Sequence, residues 1–129
     1  MSTDEKNALI LEDIPKLYDK IDQCNKSIED YELHIDEEEL SQGQLSFLIR
    51  EDEERKVEGK RTRYDIKSLR ENITRHDNNI VLFKKKIEEE KRSIERFKGI
   101  IKVLREDLER PNEIVIDLRQ KAPDHRNID

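Results

Sequence analysis

The sequence predicts an all-α protein: an antiparallel helical-hairpin coiled coil of two long helices with a short helix or loop at the tip. The 129 residues are 45% charged and only 33% hydrophobic, whereas compact domains are about a quarter charged and nearly half apolar. Apolar residues nevertheless recur at heptad spacing over many turns, which disordered chains do not maintain. The two halves of the chain also carry opposite net charge, as helices that pair with each other would.

The second long helix is predicted over residues 62–109, because isoleucine recurs at every seventh position. These isoleucines, with Leu108, define heptad position a: Ile66, Ile73, Ile80, Ile87, Ile94 and Ile101. Position d is less regular: Leu69, His76, Phe83, Glu90, Phe97 and Leu104. Pro111 ends the helix, since proline and the residue before it disfavour helical geometry.

The first long helix is predicted over residues 7–40, after a flexible N-terminus at 1–6. Its heptad has four isoleucines at a and three residues at d: Ile14, Ile21, Ile28, Ile35, Leu17, Cys24 and Tyr31. Proline is tolerated in the first turn of a helix, so Pro15 suggests that the helix starts just before it. Asp13 is a suitable N-cap for a helix that starts there. The regular part is therefore expected to start near Asp13, or earlier with a kink. Gly43 in "SQGQ" is expected to end it.

Residues 41–61 are predicted to form the tip, as a short helix plus a loop. Its apolar residues fall in one cluster: Leu45, Phe47, Leu48 and Ile49. Heptad positions carried back from the isoleucines would fall on polar residues or glycine, which cannot form an apolar seam. Gly59 is the expected break, and one continuous helix over 44–109 is the alternative. Residues 110–129 are predicted to be an extended segment with a strand-like stretch at 113–118 and a disordered tail.

Charge predicts that the two helices pair within one chain. The first 54 residues carry a net charge of −12 and the remainder +6. Folding back at 41–61 would place Glu32 near Arg70 and Glu39 near Arg63, both attractive pairs. A parallel homodimer of the second helix would instead bring Lys86 to Lys91.

The unequal lengths of the helices predict a homo-oligomer, because residues 92–109 would have no partner stripe in the chain. This apolar end, joined by the strand-like segment, is the predicted oligomer or partner interface: Ile94, Phe97, Ile101, Leu104, Leu108, Ile114 and Ile116. The alternative is that Leu9, Ile10 and Leu11 cover part of it. The apolar cluster Leu45–Ile49 is the second predicted contact surface.

Catalysis, a cofactor, a metal and a small-molecule substrate are not expected. The sequence has no glycine-rich phosphate loop, no nucleophile elbow and no cysteine cluster. Cys24 is the single cysteine, which excludes an intramolecular disulfide. His76 and Glu90 interrupt the d positions, where a buried polar residue usually fixes the register of a coiled coil.

The sequence predicts a structural, scaffolding or adaptor protein that binds itself and at least one other protein. One alternative is an inhibitor whose acidic face blocks a nucleic-acid-binding partner. Another is direct nucleic-acid binding through the basic stretch 55–70, with an aromatic for base stacking: Arg55, Lys56, Lys60, Arg61, Arg63, Tyr64 and Lys67. With no secretory signal and no membrane span expected, a cytoplasmic location is predicted.

Overall fold

The computed structural model describes residues 2–108, which form two α-helices, α1 (Thr3–Val57) and α2 (Ile66–Leu108). Residues 58–65 connect them, and the described range contains no strand. An all-α helical hairpin is therefore confirmed. The predicted strand-like stretch 113–118 and the tail lie outside the described residues.

Helix α1 begins at Thr3. This is before residue 7, the predicted start of the helix, and before Asp13, the predicted start of its regular part. The Ser2 hydroxyl accepts a hydrogen bond from the Glu5 N–H at 3.2 Å, so Ser2 acts as the N-cap. The helix continues through Pro15. Proline leaves the carbonyl of Leu11 without its helical donor, and both residues are exposed, so water can supply that hydrogen bond.

Helix α1 also continues through Gly43, so the predicted helix end at residue 40 and the tip at 41–61 are wrong. The buried face of the helix extends through this region by steps of three and four, with Gln42, Leu45, Ile49 and Asp52 in sequence. Gly43 lies on the exposed face and costs about 1 kcal/mol of helix propensity. Continued packing of the buried face outweighs that cost.

Gly59, the predicted break, ends α1. It has a φ of 76°, a left-handed conformation that glycine adopts without strain. The Gly59 N–H donates to the Lys56 carbonyl at 3.1 Å, and the Lys60 N–H donates to the Arg55 carbonyl at 2.8 Å. This pair of hydrogen bonds is the Schellman motif, which satisfies the last carbonyls of a helix.

Helix α2 begins at Ile66, four residues after the predicted start. The side chain of Asp65 caps it, accepting the Lys67 N–H at 3.1 Å and the Ser68 hydroxyl at 3.0 Å. These hydrogen bonds, first of all those from Ser68, hold the pKa of Asp65 below its ordinary value. The isoleucine row then faces inward, and four of its members are buried together with Leu108: Ile80, Ile87, Ile94 and Ile101.

Residues 27–88 form one compact unit around the hairpin tip. Its core consists of Ile35, Ile80 and Ile87 with three half-buried neighbours, Ile28, Tyr31 and Phe83. The rings of Tyr31 and Phe83 are 6.1 Å apart between centroids. Gln42 lies further towards the tip and donates to the carbonyl of Ile73 at 3.2 Å. The helices are therefore antiparallel in this unit.

The described parts of a second unit are residues 2–26 and 89–108. Its buried apolar residues come from both helices: Ile10, Ile14, Tyr18, Ile21, Cys24, Ile94, Ile101 and Leu108. The Arg105 guanidinium donates to the Tyr18 hydroxyl, and Lys20 Nζ lies 5.7 Å from the centre of the Phe97 ring. The end of α2 therefore packs against apolar residues of α1 in its own chain. The predicted interface assumed that residues 92–109 had no such partner.

The predicted register of the two helices is wrong. Arg70 pairs with Glu53 at 3.0 Å, three heptads later in α1 than the predicted Glu32. The Arg63 N–H donates to Asp52 instead of facing Glu39. The cause is the length of the tip: a connection of eight residues, rather than twenty-one, moves every pairing along α1.

Candidate functional site

Three large apolar side chains form a row on the outward face of α1. Leu33, Leu40 and Phe47 are 57%, 65% and 55% exposed, respectively. They are spaced by seven residues and occupy heptad position f, opposite the face that contacts α2. We call these three residues the outward row.

The charge around the outward row differs between its two ends. Residues 29–39 contain seven acidic residues and no lysine or arginine, whereas 40–50 contain no acidic residue and one arginine. The exposed carboxylates beside the row are Glu29, Asp30, Asp36 and Glu37. An apolar row edged by charge is the usual composition of a protein-binding surface.

Gly43 lies between Leu40 and Phe47 on this face. A Cβ at residue 43 would have no neighbouring atom within 4 Å, so the backbone here is open to the outside. Such a position lets the side chain of another helix approach closely. Gln44, which is exposed, lies next to Gly43 on the same face, so the row between Leu40 and Phe47 is flanked by one open position and one polar side chain.

The residues predicted as an oligomer interface are largely covered by their own chain. Ile94, Ile101 and Leu108 are buried, and Phe97 and Leu104 are half-buried. Ile114 and Ile116 lie outside the described residues. That the segment contacts a second copy stays a prediction, but its buried residues do not offer an open surface.

The predicted tip contact cluster is divided between two faces of α1. Ile49 is buried, Leu45 and Leu48 are half-buried, and Phe47 alone points outward. Leu33 and Leu40 were missed as site residues. Their seven-residue spacing from Phe47 was visible in the sequence, but it identifies an outward row only once α1 is continuous through Gly43.

The actual tip is the basic stretch predicted as a nucleic-acid contact. Arg55 is half-buried, and the other predicted contacts are exposed: Lys56, Lys60, Arg61, Arg63, Tyr64 and Lys67. The Arg55 Nε–H donates to the Arg61 carbonyl at 3.0 Å, which holds the loop against the end of α1.

Asp52 of α1 holds the same loop through hydrogen bonds. Its carboxylate is fully buried and accepts the Arg63 N–H at 2.9 Å and the Tyr64 N–H at 2.6 Å. Asp52 occupies heptad position d, where the sequence suggested only a break in the apolar seam. Two backbone donors of the loop explain why a carboxylate is stable there.

An open groove of about 650 Å³ lies beside the tip. Its charged lining is mixed in sign: Glu53, Lys56, Lys67, Arg70 and Glu71. Within this lining, Glu53 already pairs with Arg70 at 3.0 Å. The groove therefore presents partly neutralised cations rather than a dedicated anion pocket.

Polar residues within the seam have partners on the opposite helix. His76 Nδ1 hydrogen-bonds the carboxylate of Glu38, and the Asn79 amide donates to the same group at 3.4 Å. The hydrogen bond from His76 is the main reason why the pKa of Glu38 lies below its ordinary value. His76 therefore fixes the pairing of the helices, the role expected of a polar residue at d.

Cys24 contacts the other polar d residue, Glu90. Burial raises the pKa of the Cys24 thiol to about 11, and the hydrogen bond with Glu90 contributes in the same direction. A thiol with so high a pKa is a poor nucleophile at neutral pH. Cys24 serves here as a small buried side chain.

Within residues 2–108, three or more metal-ligating side chains never come together in one group. Neither described helix has a stretch that is long and apolar enough to cross a membrane. The outward row and the basic tip are two surfaces of the described residues that have features of a binding site. Comparison of the chain with models of protein families, with curated proteins and with solved structures found no match.

Proposed function

We propose that this chain is a non-enzymatic structural or adaptor protein, a coiled-coil hairpin that binds protein helices. The outward row carries the proposal. A two-helix hairpin leaves one face of each helix in water, and three large apolar residues at one heptad position on such a face lower solubility without adding to the hairpin's own core. Their energetic benefit is realised when another protein covers them.

The spacing of the row favours a helical partner. Side chains seven residues apart lie in a nearly straight line along a helix, and they fit between the side chains of a second helix packed alongside. Carboxylates on both sides of the N-terminal half of the row would form a polar rim along that part of the contact. In this proposal the acidic face of α1 is the edge of a binding site, not the phosphate mimic of the inhibitor hypothesis.

Site-specific photo-crosslinking tests the proposal. A photoreactive amino acid is placed at position 40 or, as a control, at position 81 on α2. The natural residues, Leu40 and Val81, are 65% and 66% exposed, so the two probes are equally accessible. In cells that express the chain, the probe at position 40 should yield a discrete crosslinked protein species, and the probe at 81 should not. Equal yields at the two positions would contradict the proposal.

Direct nucleic-acid binding is the second candidate, and the conformation of the tip favours it. Asp52 fixes the backbone of the neighbouring residues Arg63 and Tyr64, and both residues are exposed. An exposed arginine and an exposed aromatic residue on one loop can contact a phosphate and stack on a base.

A salt titration with mixed-sequence single-stranded RNA tests this candidate. If the tip is a phosphate site, affinity should fall steeply with salt, and Arg63→Gln should reduce the slope. Lys20→Gln is the control, because Lys20 lies in the other unit. Absence of binding at low salt would exclude the candidate.

A further inference from the structure

We propose that a second copy of this chain covers the outward row, with its α1 antiparallel to the first and the contact centred on Leu40. The inference rests on the proposed function, because it names the partner that the row binds. Two observations carry it: the distribution of charge along the row and the two-fold arrangement of the apolar residues.

Charge selects the orientation. In a parallel pair, the acidic segment 29–39 of one copy would lie beside the same segment of the other, bringing seven carboxylates next to seven. In an antiparallel pair centred on Leu40, segment 29–39 lies beside 41–51 of the partner copy, in which Glu51 is the only acidic residue. Glu29 of each copy then lies near Arg50 of the other. One like-charged pair, Asp30 with Glu51, remains at the edge.

The outward row selects the centre. In the antiparallel arrangement, Leu40, the most exposed side chain of the row, faces Leu40 of the other copy. Leu33 of each copy lies near Phe47 of the other. The same surface on both copies is used, so the contact is isologous and closes as a dimer.

Helix α2 offers no equivalent surface in this unit. Its most exposed apolar residues there, Val81 and Leu82, are adjacent in sequence and diverge by about 100° around the helix. They do not form a row. The contact is also short, about three turns on either side of its centre, so we expect a weak, concentration-dependent dimer.

Sedimentation of the purified full chain over a range of concentrations tests the inference. The wild type should form dimers, and Leu40→Gln should raise the dimer dissociation constant about a hundredfold, because both copies lose a buried leucine. Val81→Gln is the control with matched exposure and should leave the dissociation constant unchanged.

Cysteine crosslinking tests the orientation in a Cys24→Ser background. Asp30→Cys and Glu51→Cys are exposed and about 30 Å apart along α1, far beyond the reach of a disulfide. Mixing the two variants should give a heterodimeric disulfide, and neither variant alone should crosslink. Crosslinking of Asp30→Cys with itself would indicate parallel helices and overturn the proposal.

The two proposals fail in different ways. A wild type that stays monomeric at all concentrations, or a dimer that Leu40→Gln leaves intact, overturns the second copy as the partner. If the probe at position 40 still captures a different protein, that protein covers the row and the proposed function stands. A row covered by residues 109–129 of the same chain would give a monomer and an intramolecular crosslink, which contradicts both proposals.

Discussion

At the scale of single residues, the polar side chains within the seam fix which parts of the two helices meet. Glu38 contacts His76, and Cys24 contacts Glu90. Each contact joins a side chain of α1 to one of α2. If the register of the two helices shifts, the contact is lost. Apolar contacts between isoleucines tolerate such a shift much better, because one isoleucine resembles the next.

Cys24 should react slowly with thiol reagents in the folded chain. Its pKa of about 11 leaves a very small thiolate fraction at pH 7.5. Alkylation by iodoacetamide should be at least about a hundredfold slower in the folded state than in urea. Glu90→Gln should speed the folded-state reaction, because the hydrogen bond and the negative charge that raise the pKa are weakened. An equal rate in folded and unfolded chain would contradict the buried position of Cys24.

Asp52 should contribute strongly to stability despite its polarity. Asp52→Ala leaves the Arg63 and Tyr64 N–H groups without their acceptor, and we expect the free energy of unfolding to fall by about 2 kcal/mol. Glu51→Ala, at the preceding exposed position, should change it by less than about 0.5 kcal/mol. Urea unfolding measures both. Similar losses in the two variants would argue against the anchoring role.

Glu38 should make stability depend on pH in the acidic range. Because its pKa is lower in the folded state than in the unfolded state, its stabilising contribution is present above the ordinary glutamate value and is lost as the pH falls through the folded pKa. The difference in stability between wild type and Glu38→Gln should therefore shrink from about pH 5 downwards. Glu39→Gln, at the adjacent exposed position, should show no such trend. A constant difference for Glu38→Gln would refute the prediction.

At the scale of the helices, the repeated features of the sequence predict the structure well and the local features predict it poorly. The isoleucine row predicts α2 closely, because a seven-residue spacing kept by six isoleucines in succession is typical of a helix in a coiled coil. Gly43 in α1 led to the wrong prediction of a helix end. A single exposed glycine costs about 1 kcal/mol, which a continuing buried face on the helix easily offsets. The row Leu33, Leu40 and Phe47 was missed for the same reason.

Alanine substitutions at Gly99 and Gly59 should change the stability of the protein in opposite directions. Gly99 lies within α2 and has open space at its Cβ position, so Gly99→Ala should stabilise the protein by about 1 kcal/mol. Gly59 has a φ of 76°, so Gly59→Ala should destabilise it by about 1–2 kcal/mol. Equilibrium unfolding of the two variants distinguishes these effects. The same sign for both would contradict the helix end described at Gly59.

At the scale of the whole molecule, composition and periodicity are sufficient to predict an all-α hairpin, but not which residues of the helices pair. The position of the tip decides that pairing, and it depends on two local hydrogen-bonded caps, at Gly59 and Asp65. A tip placed too early in the chain leaves the end of α2 without a partner. The premise that Ile94 and Ile101 have no partner in their own chain followed from that error, whereas their contact with a second copy stays a prediction.

The tip also has a consequence for the order in which the chain folds. Asp52 and Arg63 are 11 residues apart in sequence, whereas Tyr18 and Arg105 are 87 apart. Closing the longer loop first would cost about 2 kcal/mol more in chain entropy. The hairpin should therefore nucleate at the tip and close progressively towards its termini. In folding kinetics, Ile49→Val should mainly slow folding, and Ile14→Val should mainly speed unfolding. The buried carboxylate that looked like a defect in the seam would then mark where folding begins.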